Sequence, residues 1–434
     1  MTCIGAAEPA QTRVTEELRS KQHRKMRATR NRYPFFAFRM WQGMGVAACF
    51  RLLKRNHFVV SPTRIPLALL LCVDSIVNSA LTTVQNLVFG RCIAAATIEE
   101  PPIFIIGHWR TGTTLLHELL ALDERLTAPT TLQCFAPSHF LVSAWLLRTL
   151  TFFLPTNRPM DDMSVGWDHP QEDEFALMNL GLGSPYETLA FPNHRPVRNE
   201  FLNMTEVTER QSAAWKAGLV KFLQAVNFHS GGKKRLVLKS PPHTARLHIL
   251  RGLFPDAQFI HLVRHPCDVF ASTVQLWKAL YETQGLQQPD FAAAPNGRPT
   301  VEDYVLAMME LLYRDFFTEL SLIPPQQVCE VRYEDLVRAP LEEVDRIYRE
   351  LNLGAFDFAE QKLKDHLRTL SEYTPNVLTV SDYRLTQVGT RWRWYMERYG
   401  YQLTSSKHAP LPLKDSKVRV CSVVATTQAI ERLP

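Results

Sequence analysis

Along the middle of the chain the apolar positions switch repeatedly between a strand-like run and a helical period. Ile103-Phe104-Ile105-Ile106 is an apolar run of strand length closed by Gly107. A short turn with a second glycine, Gly112, follows, and then Leu115, Leu116, Leu119, Leu120 and Leu122 recur with helical spacing. The alternation returns further on. Arg235–Leu238 reads as a short buried strand, and Leu247, Ile249, Leu250, Leu253 and Phe254 mark a helix. Phe259–Val263 is another strand, and Val269, Phe270 and Val274 open another helix. Residues 205–229 and 302–322 read as helices and Gln327–Arg332 as a strand. Strand–helix–strand order with crossovers of this length predicts parallel strands. The expected fold class is α/β: a central parallel sheet flanked by helices, similar to P-loop nucleotide-binding folds, with an N-terminal helical extension.

Two regions break the alternation. Ile65 to Phe89 is the longest apolar stretch and is about long enough to span a bilayer. It also holds Asp74, Asn78, Gln85 and Asn86, which are costly in hydrocarbon, so a buried or interfacial helix is expected rather than a transmembrane one. Residues 123–170 are rich in proline and aromatics, an irregular wall with one apolar helix around Phe140–Phe153. Composition adds little to this picture. With 434 residues, 46% hydrophobic and 21% charged, the chain is globular and can build a sizeable core. Its eight cysteines are scattered singly, without a C-x-x-C pair, which points to a reducing compartment and away from zinc or disulfide scaffolds. Residues 1–12 lack signal-peptide architecture, so a cytoplasmic protein is expected.

The net charge of +6 is modest, but it is unevenly spread. Between Arg13 and Arg55 many lysines and arginines face only Glu16 and Glu17, interleaved with Phe35, Phe36, Phe38, Trp41 and Phe50. Such an arm either rests on an anionic membrane or packs its aromatics on the domain. Nucleic acid is not expected as a partner. The organisation anticipated is a basic arm and apolar extension over 1–99, the α/β domain over 100–403, and a poorly ordered tail over 404–434.

Candidate chemistry clusters after the strands, where ligands of parallel sheets bind. Gly107-His108-Trp109-Arg110-Thr111-Gly112-Thr113-Thr114 is a glycine-bounded loop opening a helix, a geometry that aims backbone N–H groups at an anion. The spacing approaches a P-loop, but Thr113 occupies the lysine position and the cation has moved to Arg110. Lys239, His243 and Arg264 follow other strands, and Ser272 lies two turns into the helix after Arg264. Three cations from three strands suit a ligand with more than one negative group; a turn that binds nothing is the plainer reading of the loop alone. The acids Glu172, Asp173 and Glu174 open a helix after Pro170. Either they serve its first turn, or one of them takes a proton from a hydroxyl. Asp335 is expected to cap a helix starting near Leu336, and His108 to shape its turn. Gly389-Thr390-Arg391-Trp392-Arg393-Trp394 either covers a nucleotide or packs as a terminal helix.

These motifs together resemble the sulfotransferases that use 3′-phosphoadenylyl sulfate (PAPS), in their broad bacterial-type branch. Gly107–Thr114 resembles the family's 5′-phosphosulfate loop, and Val263-Arg264-His265-Pro266 through Ser272 its 3′-phosphate motif. Leu238–His243, Gln171–Glu174 and Arg332–Leu336 also look like that branch, and the likeness spans about residues 100–400. The resemblance implies PAPS as co-substrate, with no metal required and transfer of a sulfuryl group to a hydroxyl or amine. It implies donor contacts from Arg110, Thr111, Gly112, Thr113, Thr114, Arg264, Ser272 and Arg391, although the segment at Arg391 departs from the Arg-Lys-Gly pattern of the cytosolic enzymes. Arg110 is implied as the cation at the leaving oxygen, assisted by Lys239, and Glu172, Glu174 or His243 as the base, with Glu172 favoured. A lipid, glycolipid or glycan alcohol fits the apolar 123–200 region as acceptor. Two other functions remain open on these residues: a P-loop kinase or nucleotidase, and a non-catalytic membrane-binding protein on the same scaffold.

Overall fold

The computed structural model describes residues 37–149, 166–196, 199–291, 298–369, 378–403 and 423–426. Most of the basic arm and most of the 404–434 tail lie outside them, as do residues 150–153 of the expected Phe140–Phe153 helix. Five parallel strands form the central sheet: β1 (Ile103–Ile106), β2 (Leu126–Thr127), β3 (Arg235–Lys239), β4 (Gln258–Val263) and β5 (Val328–Arg332). Their order is β2-β3-β1-β4-β5. Ile105 pairs with Lys239 and with Ile260, and Val263 pairs with Arg332. β1 is therefore central, and the chain leaves it first to one side and later crosses to the other. That reversal opens a crevice at the carboxyl ends of β1, β3 and β4.

The inner strands β1, β3 and β4 are buried along almost their whole length because both faces of the sheet are covered, whereas the edge strand β5 alternates. Phe104, Ile106, Leu238, Phe259 and Val263 point into one buried layer. Ile103, Ile105, Val237, Ile260 and Leu262 point into the other, against Leu116, Leu119 and Leu120. The two-residue β2 was not expected; it is too short to leave a periodic signal.

The helices that bear on the site are α1 (Val46–Arg55), α2 (Ile65–Ala95), α3 (Thr113–Leu120), α4 (Phe140–Thr149), α5 (Asp173–Asn179), α6 (Glu209–His229), α7 (Pro266–Gln284) and α8 (Val301–Tyr313). α6 starts at a capping box, in which Thr208 accepts from the Gln211 N–H and the Gln211 side chain accepts from the Thr208 N–H. The expected 302–322 helix is two helices, α8 and Phe316–Leu320. The helix after β5 begins at Tyr333 with Arg332 as N-cap. Asp335 therefore sits inside its first turn, paired with Arg338, and does not cap it. Val423–Thr426, in the expected tail, pairs in parallel with Leu378–Ser381.

Of the two readings of α2, buried or interfacial, the first does not hold. It is not buried: Leu69, Val73, Ile76, Leu87 and Val88 are each more than half exposed. Its inward side carries Ser75, Asn78 and Gln85, whereas Thr83 and Asn86 are exposed. Asn78 donates to the carbonyls of Gln42 and Met44, and Gln85 accepts from the Leu141 N–H. By length and composition the helix could cross a membrane.

Candidate active site

The loop between β1 and α3 is held in shape by groups from three directions. The Gly107 N–H donates to Thr244 Oγ1 at 2.8 Å, and that hydroxyl donates back to the Gly107 carbonyl at 3.1 Å. Gly107 has φ +141°, and a Cβ there would lie 2.6 Å from the Leu262 carbonyl oxygen of β4. Gly112 has φ +99°, and its Cβ would lie 2.3 Å from the Tyr333 ring. Both glycines are therefore required by close approach as well as by backbone conformation. Arg110 adopts φ +69° without being glycine, a conformation a non-glycine residue seldom holds outside functional loops.

The unusual backbone at Arg110 directs its side chain across the crevice. Its Nε donates to Ser272 Oγ on α7 at 2.7 Å. Arg264 Nη1 donates to the Arg110 carbonyl at 3.0 Å. The Arg264 guanidinium lies 4.2 Å from the centre of the Tyr333 ring, and its Nη2 is 3.8 Å from Asp268. The Arg264 N–H donates to Tyr395 Oη at 3.1 Å. Arg110, Arg264 and Ser272, chosen from separate stretches of sequence, thus meet at one point, with Tyr333 as a shared floor beneath Arg264 and Gly112.

The other loop positions divide. Thr111 is fully buried, and both its hydroxyl and its N–H go to the His108 carbonyl. What it supplies is loop shape. α3 makes its first backbone bond from Leu116 N–H to the Gly112 carbonyl, so the N–H groups of Thr113 and Thr114 precede the helical ladder and face the loop. His108 is buried with Nδ1 2.9 Å from the Trp109 carbonyl, and burial lowers its pKa to about 4, so it is a neutral member of the turn.

The three acids at the start of α5 each take a different basic side chain from residues 239–246. Glu172 Oε1 accepts from Lys239 Nζ at 2.6 Å. Asp173 accepts from His243 Nε2 at 2.6 Å and from the Ser240 hydroxyl at 2.7 Å. Glu174 is gripped bidentately by Arg246 at 2.5 and 3.1 Å, and Arg246 also donates to the Phe201 carbonyl. Burial pushes the Asp173 carboxyl up, but the charge and hydrogen bond of His243, with that of Ser240, outweigh it and hold Asp173 below its ordinary value.

Asp173, Glu174, His243 and Arg246 are wholly buried, whereas Glu172 is 9% exposed. Glu172 has a further partner: Tyr186 Oη donates to its Oε2 at 2.5 Å and accepts from Trp109 Nε1 at 2.7 Å. Burial, and then the Glu172 carboxylate, push the Tyr186 phenol well above its usual pKa, so it stays a donor. Lys239 and Glu172 therefore sit beside β1, tied through Tyr186 to Trp109 in the loop. His243 is enclosed between Phe104 and Trp215, with its Nε2 on Asp173.

The structure does not bring Arg391 to this cluster. Its guanidinium is held bidentately by Glu310 of α8 at 2.7 and 2.6 Å, which raises its pKa. Trp392 is fully buried, donates to the Leu306 carbonyl and packs near His108 and Phe270. The segment thus packs as a helix end behind the loop.

Tyr333, Tyr186, Thr244 and Arg246 were not anticipated as parts of the site. Tyr333 stands directly after β5, so the strand-end rule that selected Arg264 would also have selected it. Tyr186 lies in an irregular stretch where no periodicity points to it.

With this geometry in hand, the chain was compared with known proteins. A sequence profile described as "Sulfotransferase family" matches residues 101–357. The chain is 40% identical over 384 residues to the omega-hydroxy-beta-dihydromenaquinone-9 sulfotransferase Stf3 of Mycobacterium bovis, and equally to that of Mycobacterium tuberculosis. The match covers 88% of this chain and 96% of each relative. Among solved structures, sulfotransferase STF9 from Mycobacterium avium superposes with a TM-score of 0.57 at 17% identity, covering 83% of this chain and 97% of that one. Sulfotransferase STF1 from Mycobacterium tuberculosis gives 0.55 at 18%, covering 74% and 85%. At such identities these two structures establish likeness of fold.

Proposed function

The chain belongs to the sulfotransferase family and is an α/β sulfotransferase enzyme, and on that premise we propose that it moves a sulfuryl group from PAPS to the hydroxyl of a lipid alcohol. The observation that carries the donor assignment is the junction of Arg110, Ser272 and Arg264 at the carboxyl ends of β1 and β4. A 3′-phosphate seated there meets two guanidiniums and a hydroxyl, the group that separates this donor from ATP. The N–H groups of Gly112, Thr113 and Thr114, at the positive end of α3, suit the 5′-phosphosulfate. Thr111 supports this arrangement from within the loop.

In the proposed reaction the acceptor oxygen attacks sulfur, and the bond from sulfur to the bridging oxygen of the 5′-phosphate breaks. The electron pair stays on that oxygen, and the acceptor proton passes to Glu172, the least enclosed of the three acids. Lys239 lies on the same carboxylate and supports the charge that develops on the leaving oxygen. Arg110 supports it from the loop while also touching the 3′-phosphate subsite through Ser272. Positioning and charge stabilisation account for the rate, and arginine and lysine take the neutralising role that a metal plays in many phosphoryl transfers. His243 and Asp173 act at one remove, fixing the segment that presents Lys239.

The acceptor class is argued from two sides. The relative at 40% identity is named for a hydroxylated dihydromenaquinone, a hydroxyl on an isoprenoid lipid. In this chain the wall beside Glu172 is aromatic: Tyr186 and Phe175 lie 5.1 Å apart, and Phe175 and Phe135 5.7 Å. The test is incubation with sulfur-labelled PAPS and a panel of a long-chain isoprenoid alcohol, a simple phenol and an oligosaccharide, with and without chelator. Label on the isoprenoid alcohol, unaffected by chelator, is expected. Label confined to the oligosaccharide or phenol overturns the acceptor assignment, and loss of transfer with chelator overturns the metal-free mechanism.

A further inference from the structure

We propose that the outward face of α2 is a membrane-seating surface, which rests the protein on a lipid leaflet with acidic headgroups. The basis is an inverted polarity. Leu69, Val73, Ile76, Val84, Leu87 and Val88 are 62, 58, 63, 45, 82 and 59% exposed. Their spacing repeats every three to four residues, so they lie on one side of the helix. A helix on a water-facing surface shows the opposite arrangement, with its polar side outward. Here Asp74, Asn78 and Gln85 are turned in and matched to the protein, while Thr83 and Asn86 stay exposed. Asp74 accepts from Gln42 Nε2, and Asn78 bonds to Gln42, Met44 and His139. Gln85 accepts from the Leu141 N–H. These bonds, spread along the helix, lay it lengthwise on the domain, so it rests along a bilayer and does not pass through it.

Charge selects the occupant. From residue 46 to residue 98 the only acid is Asp74, and it points inward to Gln42. Arg51 and Lys54 on α1, which packs on α2, and Arg91 near the end of α2 are exposed. Two copies of this face brought together would set like charges at the rim against each other, whereas acidic headgroups complement them. Exposed aromatics on both neighbouring helices extend the patch: Phe50 on α1 at 53% and Trp145 on α4 at 70%. Amphipathic aromatic rings beside cations are what an interfacial surface requires.

This surface connects to the reaction centre. From Glu172 the rings of Tyr186, Phe175, Phe135 and Phe38 follow one another at 5.1, 5.7 and 5.4 Å. Phe38 begins the segment whose Gln42 holds Asp74 of α2. An apolar layer thus runs from the proposed base to the underside of the seating helix, in keeping with an acceptor drawn from the bilayer. That last link rests on the lipid-alcohol reading above; the docking surface itself does not.

The test is flotation of the full chain with vesicles of phosphatidylcholine alone and of phosphatidylcholine with phosphatidylglycerol, beside the double variant Ile76→Glu/Leu87→Glu. The full chain is expected to float with the acidic vesicles and less with the neutral ones. The variant, checked for an unchanged melting temperature, should lose at least about tenfold in partitioning. A full chain that stays in the aqueous fraction with every lipid overturns the proposal without recourse to a variant. So does a soluble dimer that the double substitution dissolves, with no vesicle binding. Transfer to a detergent-solubilised isoprenoid alcohol is measured in parallel. Transfer without flotation removes the docking surface and leaves the enzymatic reading; flotation without transfer does the reverse.

Discussion

Two halves of the crevice handle charge in opposite ways. On the acid side, three consecutive carboxylates meet three basic side chains in register: Glu172 with Lys239, Asp173 with His243, Glu174 with Arg246. Each charge is matched inside the protein. On the donor side, the guanidiniums of Arg110 and Arg264 meet the Ser272 hydroxyl, the Arg110 carbonyl and the Tyr333 ring, with the Asp268 carboxylate 3.8 Å from Arg264. The first arrangement is a clasp that fixes β3 against α5. The second gathers two guanidiniums and a hydroxyl from three separate stretches of sequence at the carboxyl ends of β1 and β4. Buried ion pairs alone therefore do not mark the reactive part of this site. What distinguishes Glu172 is its place at the edge of the clasp, where Tyr186 and Trp109 tie it to the donor loop.

The comparison can be broken or sharpened residue by residue. Glu172→Gln keeps an acceptor for Lys239 but removes the base, so turnover should fall about 10²–10⁴-fold with donor affinity little changed. Full turnover in steady-state kinetics would move the base elsewhere. Glu174→Ala leaves the Arg246 guanidinium buried and should cost roughly 3–5 kcal/mol in a denaturant titration. A near-normal midpoint would show that the clasp is not structural. Acid sensitivity probes the buried neutral histidine of the donor loop. His108 has its pKa lowered from 6.5 to about 4 by burial, so unfolding takes up a proton within that window. Its contribution is complete above pH 6.5 and is lost as pH falls to about 4, roughly 3 kcal/mol for this group alone. The melting temperature should drop across that range, and His108→Asn should flatten the drop. The smallest effect is expected of Tyr186→Phe, which removes one hydrogen bond to Glu172. Turnover should fall about tenfold, with the acid limb of its pH profile displaced and donor affinity unchanged. A displaced melting curve with an unmoved pH profile would make Tyr186 merely a packing residue.

How much of this was legible in the sequence follows from how local each signal is. The strands β1, β3 and β4 are largely apolar runs closed by glycine, lysine or arginine, and β5 alternates, so both the parallel sheet and the strand-end cations could be read directly. Arg264 and Ser272 could be paired because one helix carries the spacing between them. That Arg110 reaches Ser272 could not be read, because it depends on a left-handed backbone at Arg110, which the sequence does not announce. The acids at 172–174 were visible as a group, but their division among Lys239, His243 and Arg246 is a tertiary outcome. Arg391 was assigned to the donor by resemblance, and its pairing with Glu310, distant in sequence, could not be read. α2 illustrates the limit of a composition argument. Its polar residues were read as unsuited to hydrocarbon, and only the fold shows that Asp74, Asn78 and Gln85 bond to the domain while the apolar side stays uncovered.

The central claim is a donor site built for a 3′-phosphate. Calorimetric titration with adenosine 3′,5′-bisphosphate, beside ATP and adenosine 5′-monophosphate, tests it most directly, using the unsubstituted chain and Arg264→Ala. The account predicts that the bisphosphate binds at least about a hundredfold more tightly than the monophosphate, and that Arg264→Ala abolishes most of this preference. Equal binding of the three nucleotides, or a preference for ATP that Arg264→Ala leaves intact, would contradict it.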